Sequence, residues 1–295
     1  VWSFFRTFDK GMDKYKKHIM GDASEEPMPL YIIPDRKVSL ADVREGMRNH
    51  YEGTELSMTN DPGAGVYKVP YRWRPMTFKS EGREYFNERA IATQQTGFVL
   101  IAQMRSWLPD AVGGILWFGV DDANTAVLTP MYTSITEIPE CYRRGNGSMT
   151  EFSWTSAFWI HNWVANMAYN RYEPMIRDIR PVQKELEDSY VDLVKNTDAK
   201  ALELLKSSPA QATAYLTEVC GKVANEATAR WKKLGEYLLV KYMDGNVKKE
   251  KDGKFEENGY GQIVSPNFPG YSQEYYDQVA KSGEAKHLEV PKKDK

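Results

Sequence analysis

Apolar residues recur at helical spacing through the first twenty positions. Val1, Trp2, Phe4, Phe5, Phe8, Met12, Tyr15 and Ile19 make one face, while Lys10, Asp13, Lys14, Lys16 and Lys17 fill the other, which predicts one amphipathic helix from Val1 to about Met20. A second helix is expected from Leu40, because Ser39 is followed three residues later by Asp42, a spacing at which hydroxyl and carboxylate cap each other's backbone N–H. It should run to about Tyr51 and stop at Gly53. From Val66 the period changes to short β-branched and aromatic runs broken by Gly and Pro, and Arg89 to Thr96, Phe98 to Arg105, Gly114 to Val120 and Thr125 to Tyr132 read as strands. The links Pro109-Asp110 and Asp121 to Asn124 have hairpin or short-loop lengths, so these strands should be antiparallel neighbours.

Beyond Gly145-Asn146-Gly147 the helical period returns. Ser153 is placed to cap a helix from Trp154 to about Tyr172, and Pro174 to Lys195 and Asp198 to Lys206 read as two more. The longest should span Pro209 to Tyr242, where Ala212, Leu216, Val219, Val223, Ala227, Trp231, Leu234, Leu238 and Tyr242 step by three or four, although Gly221 and Gly235 each cost about 1 kcal/mol relative to Ala. The Lys-rich stretch Asn246 to Lys254 and the tail Lys281 to Lys295 read as solvated. Helix, antiparallel strands, then helices describe an α+β chain. About four or five strands are too few to cover the apolar surface of about seven helices unless strands from another part join them.

The chain has 295 residues, with 39 basic against 41 acidic, a formal net charge of −2, so the broad positive field of a nucleic-acid binder is missing. With 8 Trp, 18 Tyr and 11 Phe an aromatic-rich core is expected. Two cysteines do not make a disulfide scaffold. The longest apolar passages, Phe98 to Met104 and Trp154 to Ala168, are too short or too interrupted by His161, Asn162 and Asn166 to span a bilayer. The chain opens at Val1 inside a helical pattern, without the basic start and small-residue cleavage site of a signal peptide, and this reads as a missing upstream part.

Candidate chemistry is sparse. Cys141 precedes Arg143 and Arg144, whose charge favours a thiolate, but no His lies within ten residues to act as base, and packing is the preferred reading of both Cys141 and Cys220. His161 is read as a hydrogen-bonded core residue rather than a base or ligand. The four histidines (His18, His50, His161 and His287) form no HExxH and no i, i+4 pair, so no metal and no cofactor is expected. Asp121-Asp122 with Asn124 reads as a solvated turn, and Gly63-Ala64-Gly65 as a turn. The strand ending Ile101-Ala102-Gln103-Met104-Arg105 is more informative, because alternation puts Gln103 and Arg105 on the side of Ile101. An Arg at a strand end suits a substrate carboxylate or a structural ion pair, and the sequence leaves both open.

Four runs, Glu88 to Gln95, Ala102 to Pro109, Gly113 to Asp122 and Phe152 to Trp159, together resemble the C-terminal half of the dipeptidase family of N-terminal-nucleophile cysteine hydrolases. The resemblance extends from Val1 to about Tyr276. It implies a four-layer αββα sandwich, of which 1–150 would supply part, 151–245 a helical region packed on it, and 246–295 an extended tail. It also implies an amino-terminal Cys that attacks a peptide carbonyl of a small peptide, with its own α-amine, of pKa near ~8, as base. Neither Cys141 nor Cys220 stands at the nucleophile position, so no catalytic residue is assigned within this chain. The nucleophile and the oxyanion-hole Asn are expected in the N-terminal portion of the same precursor, the partner this reading requires. Arg105, Gln103 and Thr93 are the residues assigned to substrate contact or site support. The resemblance favours a periplasmic or secreted location over a cytoplasmic one and leaves room for a homo-oligomer. The alternative is a non-catalytic glycan- or peptide-binding protein with Trp154, Trp159 and Trp163 as stacking platforms, although helical spacing makes core packing the better account of those rings.

Overall fold

A computed structural model of the chain describes residues 1–22, 24–282 and 288–290, so His287 and most of the tail expected to be solvated lie outside the described residues. The first twenty residues are three segments rather than one helix: α1 (Trp2–Phe8), a 3₁₀ stretch (Lys10–Tyr15) and α2 (Lys16–Ile19). The break falls at Asp9, whose backbone is extended (φ −147°) and whose carboxylate accepts from Gly11 N to start the second segment. The chain folds back there, and Trp2 Nε1 donates to Met12 O at 2.8 Å across the bend. Helix α3 (Leu40–Met47) carries the expected reciprocal cap between Ser39 and Asp42. It ends before Tyr51, which adopts φ +66°.

A hairpin of β1 (Thr77–Ser80) and β2 (Arg83–Phe86) turns through Glu81-Gly82, both at positive φ (49° and 76°), the turn geometry that matches strand twist. The main sheet contains β3 (Phe98–Met104), β4 (Gly114–Val120) and β5 (Thr129–Tyr132) in that order, all antiparallel, with the single turn α4 (Asp110–Gly113) between β3 and β4. Arg89 to Thr96 is not a strand. Its N–H groups are committed elsewhere, Ala92 N to Asn49 O and Thr96 N to Thr93 O. Residues 125–128 likewise stay out of β5, because Thr125 N and Leu128 N donate to the carboxylates of Asp122 and Glu187.

The helical part holds α5 (Ala157–Asn170), α6 (Tyr172–Leu205) and α7 (Pro209–Tyr242). Helix α5 starts from Ser156 instead of Ser153, and α6 runs unbroken through 196–197, where two helices were expected. Thr197 and Ala201 are buried there, and Asp198 is held by groups of the sheet, so tertiary contacts carry the helix through its polar turn. One core joins Ile115, Trp117 and Tyr132 of the sheet to Ile160 and Val164 of α5, Ile179 of α6, and Leu216, Trp231 and Leu238 of α7. The Lys-rich stretch forms a small hairpin of β6 (Glu250–Lys251) and β7 (Lys254–Phe255), with Lys248 buried, and α8 (Gln273–Lys281) follows. Val247 pairs with Asn267 and Lys241 bonds Glu250, which anchors the stretch at its start, while Glu250 to Lys254 stay exposed. Among the described residues no helix is long and apolar enough to cross a membrane.

Strand β3 is an edge strand, paired only with β4 among the described residues. Its side chains alternate: Val99 is buried, but Phe98, Leu100 and Met104 are 63%, 43% and 64% exposed. The sheet therefore presents an open hydrogen-bonding edge beside a bare apolar stripe, a combination that soluble proteins usually cover or charge.

Candidate functional site

Arg105 leaves the end of β3 with its guanidinium buried and all three nitrogens engaged within the chain. Nη1 pairs with Asp198 of α6, Nη2 donates to Val112 O at 2.5 Å, and Nε donates to Gly113 O at 3.3 Å. Tyr132 Oη donates to the other carboxylate oxygen of Asp198 at 2.6 Å, so the pair ties the sheet to α6. Of the two roles open to Arg105 from sequence, the ion pair is the one its surroundings supply. Gln103 Oε1 accepts from Trp117 Nε1 at 2.9 Å and holds the indole across the ladder. Thr93 lies beyond the other end of β3, about 20 Å away along a strand that rises about 3.3 Å per residue, and its Oγ1 accepts from Arg89 Nη2 at 3.2 Å. The fold brings Gln103 and Arg105 to one end of the sheet and leaves Thr93 at the other.

At the Thr93 end the structure assembles a group where the sequence predicts a solvated turn. Asp121 and Asp122 are 1% and 0% exposed, which corrects that expectation. Asp122 is consumed locally: Oδ2 accepts from Thr125 N and Oγ1, and Oδ1 accepts from Tyr169 Oη at 2.9 Å. Because Tyr169 donates to Asp122, its oxygen is free to accept from His50 Nε2 at 3.1 Å, and His50 Nδ1 then accepts from Asn124 Nδ2 at 3.1 Å. Tyr172 Oη donates to Asn124 Oδ1 and closes the network. Burial, reinforced by Asp122, pushes the Tyr169 phenol well above its ordinary pKa, so it stays a donor.

Asp121 is different. Its backbone sits at φ +68°, where few residues other than Gly settle, and its N–H donates to Gly97 O at the start of β3. Oδ1 accepts from Asn162 Nδ2 at 2.8 Å, whereas Oδ2 is buried without a partner among the described residues. Desolvation pushes this carboxyl up to about 7 against the opposing bond from Asn162. Behind it runs an amide relay on one face of α5: Asn166 Nδ2 donates to Asn162 Oδ1, Gln94 Nε2 donates to Asn166 Oδ1, and Tyr71 Oη donates to Gln94. The sequence signal was present, since Asn162, Asn166 and Tyr169 repeat at i, i+4 and i+7 in a mostly apolar helix.

Val120, the residue before Asp121, borders a cavity of about 320 Å³ floored by Phe118, Phe158 and Trp159 and rimmed by Arg143 and Arg144. Cys141 also lines it, but its thiol is buried and pushed up by desolvation, the opposite of nucleophile activation. Cys220 accepts from Tyr132 N at 3.3 Å and is pushed up to about 11 by burial. His161 stacks on Trp231 at 5.1 Å with Nδ1 unpartnered among the described residues, and burial lowers its pKa to about 3, so it is a neutral packing ring rather than a hydrogen-bonded one at that nitrogen. Phe152 packs against Trp154 and Trp159, and Trp154 meets Trp163 edge-on at 5.3 Å. No group of three or more His, Cys, Asp or Glu among the described residues is disposed to hold a metal ion.

The family model described as Peptidase family C69 matches residues 1–185. "Probable dipeptidase B" of Lactococcus lactis subsp. lactis is 26% identical over 233 residues, covering 77% of this chain and 44% of its own length. "Probable dipeptidase" of Latilactobacillus sakei is 26% identical over 245 residues, covering 77% of this chain and 46% of its own. "Dipeptidase A" of Lactobacillus helveticus is 22% identical over 172 residues, 58% of this chain and 30% of its own. The chain thus spans less than half the length of these relatives.

Proposed function

The chain belongs to peptidase family C69, and from that premise we propose that it contributes to a cysteine dipeptidase whose nucleophile lies outside these 295 residues. The carrying observation is the open edge and bare apolar stripe of β3. Phe98, Leu100 and Met104 facing water are costly in isolation and become favourable if further strands of the same protein continue the sheet and a second layer covers it. In this reading the sheet β3–β4–β5 is part of an αββα sandwich, and the N-terminal portion of the precursor supplies both the missing layer and the amino-terminal Cys. The two thiols present support the assignment, since both are buried and both are pushed upward in pKa.

The chemistry then needs only modest help from this chain. A thiol whose proton is taken by its own α-amine attacks the peptide carbonyl, the amine product leaves, and water releases the acyl product. Arg105 acts here by position, fixing the end of β3 through Asp198, with Gln103 setting Trp117 beside it. The test is to incubate the complete gene product and the 295-residue chain separately with a dipeptide panel and follow free amino acids. Turnover by the complete product alone supports the proposal. Turnover by the isolated chain, or by neither, overturns it.

A further inference from the structure

The cavity beside Val120 combines features that the proposed chemistry does not explain. Ser156, Phe158 and Trp159 line it from the N-terminus of α5, a helix of 14 residues, where the first bond is Ile160 N to Ser156 O and the N–H groups of Ala157, Phe158 and Trp159 have no intrahelical acceptor. Ser156 stands at the cap position, is 5% exposed and lines the cavity, yet its hydroxyl makes no capping bond to the helix. Arg144 lines the same space with no ion pair among the described residues, and Arg143 beside it pairs only with exposed Glu140, at 3.0 Å. Among the described residues no acidic side chain lines the cavity. Helix dipole, N–H groups without an intrahelical acceptor, a hydroxyl that makes no cap bond and an exposed guanidinium all border this one cavity and favour negative charge in it. Around that place the walls are apolar: Phe118, Val120, Phe158 and Met149.

We infer that this cavity binds the C-terminal carboxylate of a small apolar peptide, with Arg144 and Ser156 as its polar contacts and the aromatic floor taking the adjacent side chain. A volume of about 320 Å³ sits at the small end for ligand sites and suits one residue rather than a long peptide. The inference rests on the dipeptidase reading for its substrate, and it adds why an exopeptidic, short substrate would be selected: a chain continuing past the carboxylate would meet the helix terminus.

The test uses the complete gene product with Leu-Leu and its C-terminal amide as probes. The wild type should show a KM at least tenfold lower for the acid. Arg144→Ala should raise the KM for Leu-Leu about tenfold at unchanged kcat, since uniform binding is what it removes, and should leave the amide within twofold. Ser156→Ala should give the same pattern at about threefold. Turnover of Leu-Leu with a KM that Arg144→Ala does not move overturns the inference while the dipeptidase reading stands. If no dipeptide is turned over, that reading fails, and calorimetric titration with N-acetyl-leucine and its amide decides the site: a tenfold preference for the acid that Arg144→Ala abolishes upholds it, and equal binding overturns it. Arg144 is exposed, so the variant should keep the wild-type melting profile.

Discussion

Asn162 of α5 donates to one carboxyl oxygen of Asp121 at 2.8 Å while the other oxygen is buried with no partner among the described residues, so the end of β4 is fastened to the helix by half of a carboxyl group. Desolvation raises the folded-state pKa to about 7, above the ordinary carboxylate value of 3.8. Between those limits the folded chain holds a proton that the unfolded chain has released, so stability falls as pH rises, by about 1.4 kcal/mol per unit at most for this group. Asp121→Asn removes the titration. Urea unfolding across pH 4.5–7.5 should find the variant gaining on the wild type as pH rises, and parallel curves would contradict the assignment.

Arg105 and Asp198 form a largely buried pair, and deleting either strands the other. Arg105→Ala should cost roughly 3–5 kcal/mol, and Arg105→Lys should recover only part, because an ammonium cannot reach Asp198 and the carbonyls of Val112 and Gly113 together. Chemical denaturation measures both. An Arg105→Ala variant of unaltered stability whose dipeptide KM rises would instead place the guanidinium in substrate binding.

Two glycines of α7 should respond with opposite sign. A Cβ at Gly221 meets nothing within 4 Å, so Gly221→Ala should stabilise by about 0.5–1 kcal/mol through helix propensity. A Cβ at Gly235 would lie 2.5 Å from the Trp163 ring, so Gly235→Ala should destabilise by about 1–3 kcal/mol. Thermal melts of the two variants check the pair.

Much of the fold was legible because local signals agreed with tertiary demand. Gly114–Val120 and Pro209–Tyr242 match their expected spans, and the Ser39–Asp42 cap formed as read. The misreadings share one cause, polar groups whose partners are distant in sequence. Asp198 looked like a helix start but is carried through by Arg105 and Tyr132, and Asp121-Asp122 looked like a wet turn but meets Asn162 and Tyr169 from α5. The hairpin Thr77–Phe86 escaped notice because all eight of its strand residues are exposed, leaving no alternation to read. Of the assigned site residues, alternation placed Gln103 and Arg105 on one side, but no local signal could tell that Arg105 already had Asp198.

The uncovered stripe of β3 makes its own prediction. Leu100→Asp, at a position 43% exposed, should change the stability of the isolated chain by no more than about 0.5 kcal/mol. In the complete gene product, where a second layer is proposed to bury it, the same change should lower the melting midpoint by several degrees and reduce turnover. Equal indifference in both would mean that the face is simply solvated.

The most direct measurement replaces both cysteines of this chain, Cys141→Ala with Cys220→Ala, in the complete gene product and follows dipeptide turnover. A nucleophile outside these residues predicts kcat within a few-fold of the wild type in a variant that keeps its fold. A folded double variant that has lost turnover a hundredfold or more would contradict it.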